Sequence, residues 1–354
     1  MSELRLDAFF GLMREQKASD LYVTANAQIK LRAEGRIRSV GNDPVAAADI
    51  EPAAMALMND YQRAKFRDEQ QVDFAVEDAA AGRFRFNVFR QRGMAAVAIR
   101  YIPADIPSLD SLHLPEALGR LAMLKRGLVL VVGATGAGKS TTLAAMMEKR
   151  NLERADHIIT IEDPIEYVHT HRRSIVNQRE LATDTPSWNM ALRGALRAAP
   201  DVVMVGEIRD RETMGAVMEI ANTGHLALST LHTVNAPQTL DRIVNLFPEQ
   251  LHKAVLMDLA ANLRAVVSQR LVRDTEEKLL PAVEVMLNTP FIADLIRQAK
   301  FGEIKAAMED SHEPGMQSFD QALSELYRTR RISMEEALAH ADSRANLEAR
   351  IHFA

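Results

Sequence analysis

Cysteine is absent from the sequence, and its absence removes several kinds of chemistry at once. Without thiols the chain cannot form disulfide bonds, ligate a metal through thiolates or use a cysteine nucleophile. A reducing compartment is permitted by this composition. Any catalytic or metal site must therefore use other side chains.

Long apolar segments are also missing. No stretch approaches the ~20 apolar residues that a membrane-spanning helix needs, and the longest apolar run, at residues 128–134, suits a buried strand. The first 16 residues carry a charge every few positions, which is not the pattern of a secretory signal. We therefore expect no direct membrane insertion, so that any contact with a membrane goes through a partner.

Neither sign of charge dominates, because 48 acidic and 43 basic residues give a formal net charge of −5. No overall field draws such a chain to nucleic acid, which counts weakly against a motor that works on DNA. The chain has 354 residues, of which 47% are hydrophobic and 26% charged. These values are typical of a globular protein with two ordinary domains.

The first 102 residues predict a small α+β domain. Apolar positions at helical spacing predict helices over residues 3–16 and 50–66. Alternation of apolar and polar residues predicts strands between them and after them. The predicted strands cover residues 20–24, 27–33, 72–76, 83–90 and 95–102, with a turn at Glu34 and Gly35.

Three prolines between residues 103 and 115 predict a linker, because proline fixes φ and blocks a helix. Beyond the linker, strands alternate with helices, which predicts a mostly parallel sheet in an α/β domain over residues 116–354. The predicted strands cover residues 128–132, 157–162, 202–205 and 226–230, with helices from residues 139, 188, 211 and 237 and a helical region from about residue 288.

Residues 133–140 match the phosphate-binding motif G-x-x-x-x-G-K-[ST] at every required position. The motif follows an apolar strand and opens a helix, which is the context it needs. Backbone N–H groups would surround the phosphates of ATP, Lys139 would reach the β and γ oxygens, and the Ser140 hydroxyl would bind Mg²⁺. The predicted nucleotide-binding residues are Gly133, Ala134, Thr135, Gly136, Ala137, Gly138, Lys139, Ser140 and Thr141.

Carboxylates follow two of the predicted strands. Glu207 comes after the apolar strand 202–205, at the edge of an open α/β sheet where ligands bind. It could orient Mg²⁺ or polarise the attacking water, although Gly206 stands where a Walker B motif usually has aspartate. An exposed glutamate without a function is the alternative.

Glu162, Asp163 and Glu166 follow the strand 157–162. Three carboxylates within five residues repel one another, so a cation is expected among them, and Mg²⁺-nucleotide is the economical candidate. The alternative is a solvated turn containing Pro164. The predicted metal ligands are Ser140, Glu162 and Glu207, and Glu166 is predicted to help place the metal and water.

Thr230 and His232 end the strand 226–230. They could sense the γ-phosphate or transmit its presence to a neighbouring subunit, whereas a single histidine at a strand end is more often structural.

The order of these motifs resembles the secretion ATPase superfamily. There the segments at residues 133–140, 160–166, 205–210 and 223–233 would be the Walker A motif, the Asp box, the Walker B motif and the His box. The Gly-Glu form of the Walker B motif is normal in that superfamily.

Over nearly its whole length the chain resembles the PilT/PilU branch of type IV pilus retraction ATPases. Residues 18–21 and 315–322 match that branch, whereas Ala293, Asp294 and Tyr22 are more similar to PilU than to PilT. This resemblance puts an independent retraction role in doubt, because PilU-type proteins generally assist a PilT motor.

The resemblance implies a PAS-like N-terminal domain followed by a RecA-like P-loop ATPase domain with C-terminal helices. It implies an Mg²⁺-dependent ATPase that forms a homohexamer, powers or assists pilus retraction in twitching motility, and works with a PilC-like platform protein of the inner membrane and a PilT paralogue. Location would be cytoplasmic and peripheral to the inner membrane, with no specific nucleic acid bound. In relatives, arginines of the N-terminal domain approach the phosphates, and the candidates by position are Arg85 and Arg100. Solvent-facing arginines are the alternative.

Three other functions remain open at this point. An extension or secretion ATPase of the same superfamily often carries a four-cysteine zinc module, which this sequence lacks. A RecA-like nucleic-acid motor would be stimulated by single-stranded DNA. A non-catalytic ring that binds nucleotide and modulates PilT would show no basal turnover.

Overall fold

The structure, a computed structural model, describes residues 4–33, 36–102, 105–181 and 183–353. The chain forms two compact units, Met1–Asp105 and Ile106–Ala354. The predicted turn at Glu34 and Gly35 lies outside the described residues, as do Pro103 and Ala104, the first two residues of the predicted linker.

The first unit is an antiparallel sheet with three short helices. Its strands are β1 (Ala18–Thr24), β2 (Ile29–Ala33), β3 (Arg36–Val40), β4 (Gln71–Asp78), β5 (Gly82–Gln91) and β6 (Met94–Ile102), and its helices are α1 (Phe10–Glu15), α2 (Ala47–Met55) and α3 (Asp60–Glu69). The strand order is β3-β2-β1-β6-β5-β4. This arrangement confirms the predicted α+β class of the N-terminal region.

Two details of this unit were predicted wrongly. The single helix expected over residues 50–66 is two helices, because Asn59 is extended and begins a new one. Its side chain accepts the N–H of Gln62, and the Gln62 side chain accepts the N–H of Asn59, which is a reciprocal N-terminal cap. Strand β3 was not predicted, because its side chains are mostly exposed and it has no alternating buried face.

The second unit contains a seven-stranded sheet and eleven α-helices among its described residues. The strands are β7 (Gly127–Val132), β8 (His157–Glu162), β9 (Ile175–Glu180), β10 (Val202–Val205), β11 (Leu226–Leu231), β12 (Leu263–Arg273) and β13 (Leu279–Leu287). The helices are α4 (Glu116–Ala122), α5 (Lys139–Glu153), α6 (Trp188–Leu196), α7 (Arg211–Asn222), α8 (Ala236–Asn245), α9 (His252–Asn262), α10 (Pro290–Arg297), α11 (Ile304–Glu309), α12 (Phe319–Arg328), α13 (Met334–His340) and α14 (Arg344–Phe353).

The strand order of this sheet is β13-β12-β7-β11-β10-β8-β9. All neighbouring pairs are parallel except β12 and β13, so the prediction of a mostly parallel sheet is confirmed. Strand β11 lies between β7, which precedes the phosphate motif, and β10, which precedes Glu207. Strands β9, β12 and β13 were not predicted, because polar residues interrupt the apolar pattern of β9 and β12.

The core of the second unit lies on both faces of the sheet. Every residue of β7 is buried, with Leu128, Leu130 and Val132 in the apolar cluster on one face and Val129 and Val131 in the cluster on the other. A strand covered on both faces is the usual pattern of a parallel sheet between helical layers. The polar residues that follow the strands are therefore concentrated at the carboxyl edge of the sheet.

In the part of the chain that the structure describes, no helix combines the length and the apolar character required to cross a bilayer.

A buried carboxyl group joins β13 to the start of α8. The side chain of Glu284 is almost completely buried, and its Oε1 accepts hydrogen bonds of 2.9 Å from Ser268 Oγ and from the N–H of Ala236. Burial raises the pKa of Glu284 to about 7, although both hydrogen bonds oppose the shift. The neutral form of this group is therefore favoured over a wider pH range than in an unfolded chain.

Replacing Glu284 by glutamine should change how stability depends on pH. The native group keeps its proton up to about pH 7, whereas an unfolded glutamate loses it near pH 4.5, so the wild-type protein loses stability as pH rises through this window. The expected loss for wild type is about 3 kcal/mol. Glutamine does not titrate, so the Glu284→Gln protein should not lose this stability. The difference in unfolding free energy, Glu284→Gln minus wild type, should therefore increase by about 3 kcal/mol between pH 4 and pH 8.

Urea unfolding of the full-length chain can be followed by fluorescence of Trp188, the single tryptophan, which packs against the core of the second unit. The exposed Glu325 provides the control, because Glu325→Gln should show no such pH-dependent difference. A Glu284→Gln difference that stays constant across this pH range would contradict the assignment.

Candidate nucleotide site

The phosphate loop connects β7 to α5, as the sequence predicts. Gly138 is the N-cap of α5 and has φ of 84°, a left-handed conformation that favours glycine. The α5 helix then begins at Lys139, so that its first N–H groups point into the loop. A helix N-terminus that follows a glycine-rich loop is a favourable site for phosphate groups.

The side chain of Lys139 folds back into this loop. Its Nζ donates hydrogen bonds of 2.9 Å to the carbonyl oxygens of Gly133 and Ala134 and lies 3.5 Å from Nδ1 of His232. Burial lowers the pKa of Lys139, whereas the charges of Glu207 and Glu166 act to raise it. The ammonium group thus lies within the electrostatic influence of two carboxylates, at the place where phosphate oxygens would meet it.

A cleft with a volume of about 170 Å³ opens beside the loop. Side chains from the ends of β8, β10 and β11 line it together with the start of α5. The predicted residues among them are Thr135, Gly136, Lys139, Ser140, Glu162, Glu166, Glu207, Thr230 and His232. The structure therefore brings the predicted phosphate, acidic and sensor residues of the second unit into one site.

Glu207 lies in the middle of a series of charged contacts. Its Oε1 is 3.0 Å from Nε2 of His232, and its Oε2 is 3.1 Å from Nη2 of Arg209. Arg209 Nη1 lies 3.7 Å from Oδ2 of Asp163. Together with the contact between His232 and Lys139, these residues form what we call the charged chain: Lys139, His232, Glu207, Arg209 and Asp163.

Arg209 was not among the predicted site residues. We expected Mg²⁺-nucleotide to neutralise the acidic cluster, but the protein itself places the Arg209 guanidinium beside Asp163 and Glu207. The ion pair with Glu207 raises the pKa of Arg209. The feature of the sequence that could have identified Arg209 was its position, two residues after Glu207 in the Walker B segment.

Glu162 is the most buried acid of the cleft. It accepts hydrogen bonds from Thr160 Oγ1 at 2.5 Å and from Gln178 Nε2 at 3.2 Å. Burial raises the pKa of Glu162, and the hydrogen bonds from Thr160 and Gln178 act to lower it. An acid of this kind can hold a proton or accept a cation that enters the cleft.

Gly206 lies next to Glu162. A Cβ atom at Gly206 would lie 3.4 Å from Cα and 3.7 Å from Cγ of Glu162. An aspartate there would place a second carboxylate beside a buried one, and like charges at such a distance repel. Glu162 thus lies beside the place that a Walker B aspartate would use.

Thr230 and its neighbours connect the strand ends. The Thr230 hydroxyl donates to the carbonyl oxygen of Gly206 at 2.7 Å, and the N–H of Ile208 donates to the carbonyl oxygen of Thr230 at 2.9 Å. Thr230 therefore fixes the backbone around Glu207, whereas His232 reaches the carboxylate directly. The Thr141 hydroxyl is 2.9 Å from that of Tyr167, which lines the cleft.

The two predicted arginines of the first unit lie opposite each other on β5 and β6. Arg100 Nε donates to Asp20 Oδ1 at 2.9 Å, and Arg85 Nη2 lies 3.4 Å from Asp73 Oδ1. Both arginines thus have carboxylate partners within their own unit. Their action on a phosphate stays a prediction.

The acidic side chains of the cleft suit a metal ion that binds together with phosphate groups. Among the described residues, no group of three or more histidine, aspartate or glutamate side chains is placed to hold a metal by itself. Mg²⁺ is usually held by one or two carboxylates together with phosphate oxygens and water. Ser140, Glu162 and Glu207 line the same cleft, and hard oxygen ligands of this kind fit Mg²⁺.

The sheet order and the cleft define the class of this protein. A phosphate loop follows β7, a glutamate follows β10, and a polar strand end on β11 lies between them, which is the arrangement of a RecA-like P-loop ATPase. The second unit is therefore the nucleotide-binding, ATP-hydrolysing part of the chain.

The chain belongs to the Type II/IV secretion system protein family, whose profile matches residues 4–344. It is 47% identical to the type IV pilus ATPase PilU of Pseudomonas aeruginosa over 97% of this chain and 90% of that protein. It is 40% identical to the type IV pilus retraction ATPase PilT of the same organism over 91% of this chain and 94% of that protein.

Among solved structures, the pilus retraction motor PilT with bound ADP matches with a TM-score of 0.92 and 40% identity, over 98% of this chain and 100% of that one. The predicted resemblance to the PilT/PilU ATPases, with greater similarity to PilU, is confirmed. The predicted fold class is confirmed as well.

Proposed function

We propose that the chain is an ATP-hydrolysing motor subunit that powers or assists type IV pilus retraction in the manner of PilU. The observation that carries this proposal is the charged chain, which connects the lysine of the phosphate loop to the carboxylate of Glu207 in a protein 47% identical to a type IV pilus ATPase. Such a connection suits a site that responds to the γ-phosphate.

The residues of the cleft have different roles in ATP hydrolysis. The N–H groups of the loop and the Lys139 ammonium bind the phosphates of ATP, and Lys139 exchanges its carbonyl partners for phosphate oxygens. Glu207 orients the attacking water and accepts its proton, while Arg209 and His232 hold the carboxylate in place. Ser140, Glu162 and Glu207 would hold Mg²⁺, which would supply positive charge that stabilises the phosphates.

His232 gives the site a way to detect nucleotide. It lies between Lys139 and Glu207, within 3.5 Å and 3.0 Å of them respectively. When Lys139 turns toward a γ-phosphate, His232 loses a neighbour on one side and keeps Glu207 on the other. The position of His232 therefore depends on whether the loop is filled, and Glu166 and Thr230 complete the wall of the cleft around it.

Assembly and partners extend this proposal. The chain acts as a homohexamer at the cytoplasmic side of the inner membrane, where it contacts a PilC-like platform protein and a PilT paralogue. Arg85 and Arg100 would exchange their carboxylate partners for nucleotide phosphates during the cycle. The greater identity to PilU than to PilT favours an accessory role beside a PilT motor as the second candidate.

Deletion of the gene in its native host, followed by complementation, tests the proposal. Wild type should restore twitching, whereas Lys139→Ala should leave the cells hyperpiliated and non-motile. Lys149→Ala is the matched control, because Lys149 lies on the same helix and pairs with Glu153 outside the phosphate loop.

The two candidates give different results in the same experiment. Loss of retraction in the deletion strain, while the PilT paralogue is still present, indicates an independent motor. Normal retraction in that strain, with a defect only when PilT is also impaired, indicates an accessory ATPase. Normal piliation and motility in both backgrounds would contradict a role in retraction.

A further inference from the structure

Strand β12 continues past its last pairing with β7 and lies directly behind the phosphate loop. Ser268 pairs with Val132 at the end of the parallel ladder, so the next residue, Gln269, stands beside the start of the loop. The Gln269 side chain is 3% exposed, and its Oε1 accepts a hydrogen bond of 2.7 Å from Thr142 Oγ1. Thr142 is buried in the first turn of α5.

Two glycines of the loop are packed against Gln269. A Cβ atom on Gly133 would lie 2.5 Å from the carbonyl oxygen of Gln269, and one on Gly138 would lie 2.7 Å from its Nε2. The first distance, to a backbone oxygen, leaves no room for a side chain at Gly133, and the second shows that Gly138 lies against the end of the Gln269 side chain. The loop is therefore packed closely against Gln269. Gln269 thus supports the loop on the side away from the nucleotide cleft.

The next residue, Arg270, is held by the C-terminal region. Its Nη1 donates to the carbonyl oxygen of His340 and its Nη2 to Oδ1 of Asp342, each at 2.7 Å. Its guanidinium carbon lies 3.8 Å from the centre of the Phe319 ring. An arginine with two hydrogen bonds and an aromatic face beneath it has little freedom to move.

Asp342 also belongs to a larger ionic group. Lys305 Nζ lies 3.2 Å from Oδ2 of Asp342 and 3.2 Å from Oδ2 of the buried Asp320, and the N–H of Asp342 donates to Asp320 Oδ1. Helices α11 and α12 and the segment between α13 and α14 therefore meet at Arg270. Adjacent residues of one strand thus contact the phosphate loop and the C-terminal helices.

We propose that Gln269 and Arg270 are positioning residues that set the affinity of the phosphate loop for nucleoside phosphates, and that the C-terminal helices act on this affinity through the ion pair of Arg270 and Asp342. Gln269 acts directly, through Thr142 and the two glycines. Arg270 acts by fixing the part of the strand that carries Gln269. The inference rests on the proposed function of the cleft, and it adds residues that do not line it.

A pair of substitutions at Thr142 tests the direct contact. Thr142→Val keeps the shape of the side chain but removes the hydroxyl, which leaves the buried Gln269 Oε1 without its donor, whereas Thr142→Ser keeps the hydroxyl. Thr142→Val should raise the Kd for ADP and the KM for ATP about tenfold, with kcat changed by less than about twofold, and Thr142→Ser should stay close to wild type. The Kd is measured by ADP titration of the full-length protein with Trp188 fluorescence, since Trp188 lines the cleft.

Substitutions in the ion pair test the connection to the C-terminal helices. Arg270→Gln and Asp342→Asn should each raise the Kd for ADP about fivefold. Arg273→Gln is the control on the same strand, because Arg273 is exposed and pairs with Glu277, and it should leave the Kd unchanged. In the double variant of Thr142→Val and Arg270→Gln, the Kd for ADP should rise by less than the product of the two single fold-changes, because both substitutions act on one contact path.

The possible failures are distinguishable. If wild type binds ADP while Thr142→Val and Asp342→Asn keep the wild-type Kd, the positioning proposal is overturned and the proposed function stands. A fall in kcat at unchanged Kd and KM would also overturn it, because a positioning role in binding predicts the reverse. If wild type itself neither binds ADP nor hydrolyses ATP, the proposed function is contradicted, and the positioning proposal that rests on it is overturned as well.

Discussion

Glu207→Gln should lower kcat for ATP hydrolysis by about 10²–10⁴-fold, the range associated with loss of a general base. Glutamine has nearly the same size as glutamate, but it cannot take a proton from water and it loses the charge that attracts Arg209 and His232. Affinity for ADP should change little, because Glu207 contacts His232 and Arg209 rather than the loop itself.

Steady-state phosphate release and ADP titration of the same preparations measure the two quantities separately. The exposed Glu212 on the following helix offers the same substitution outside the cleft, and Glu212→Gln should keep the wild-type kcat. If Glu207→Gln retained kcat within a few-fold of wild type, another residue would have to act on the water.

Lys139→Ala should weaken ATP binding about 100-fold, which is the effect expected when a charge-assisted hydrogen bond to a phosphate is lost. Its turnover should fall by at least about 10²-fold, because the ammonium group also stabilises charge that develops on the γ-phosphate. Removal of Lys139 also removes the hydrogen bonds that its Nζ donates to the carbonyl oxygens of Gly133 and Ala134 in this structure, although Ala134 keeps the hydrogen bond from the N–H of Ala137.

Lys149→Ala is again the matched control, and both variants are compared by ATP titration and by turnover at saturating ATP. Lys139→Ala protein that hydrolyses ATP at the rate of the control would contradict the assignment of the phosphate loop.

Some of the site was predictable because the relevant residues are neighbours in the sequence. The phosphate loop needs a strand, a glycine-rich turn and a helix in succession, and residues 127–153 supply all three. Glu207 and the acids after β8 were found for a similar reason, since each follows a strand whose apolar character is visible without the structure.

Other parts could not be predicted, because tertiary contacts determine them. Gln269 belongs to a strand that the hydrophobic pattern does not reveal, and its partner Thr142 lies 127 positions away in the chain. Glu284 and the backbone of Ala236 meet only after β12, β13 and α8 pack together. Arg209 was close enough to Glu207 to be noticed, but its pairing with Asp163 depends on the order of β8 and β10 in the sheet.

The fold shows the same distinction. Local capping by Asn59 divides the segment from Ala47 to Glu69 into two helices, and helical spacing alone does not register such a break. In contrast, the fully buried strands β7, β10 and β11 have an unmistakable apolar pattern. Strands buried on both faces are thus easier to predict than edge strands such as β3.

Titration of the purified full-length protein with ATP, in Mg²⁺ and again in excess EDTA, tests the central claim most directly. The account predicts saturable binding that Mg²⁺ strengthens and a quenched or enhanced Trp188 signal that Lys139→Ala abolishes at the same concentrations. Absence of any Mg²⁺-dependent affinity for ATP in the wild-type protein would contradict it.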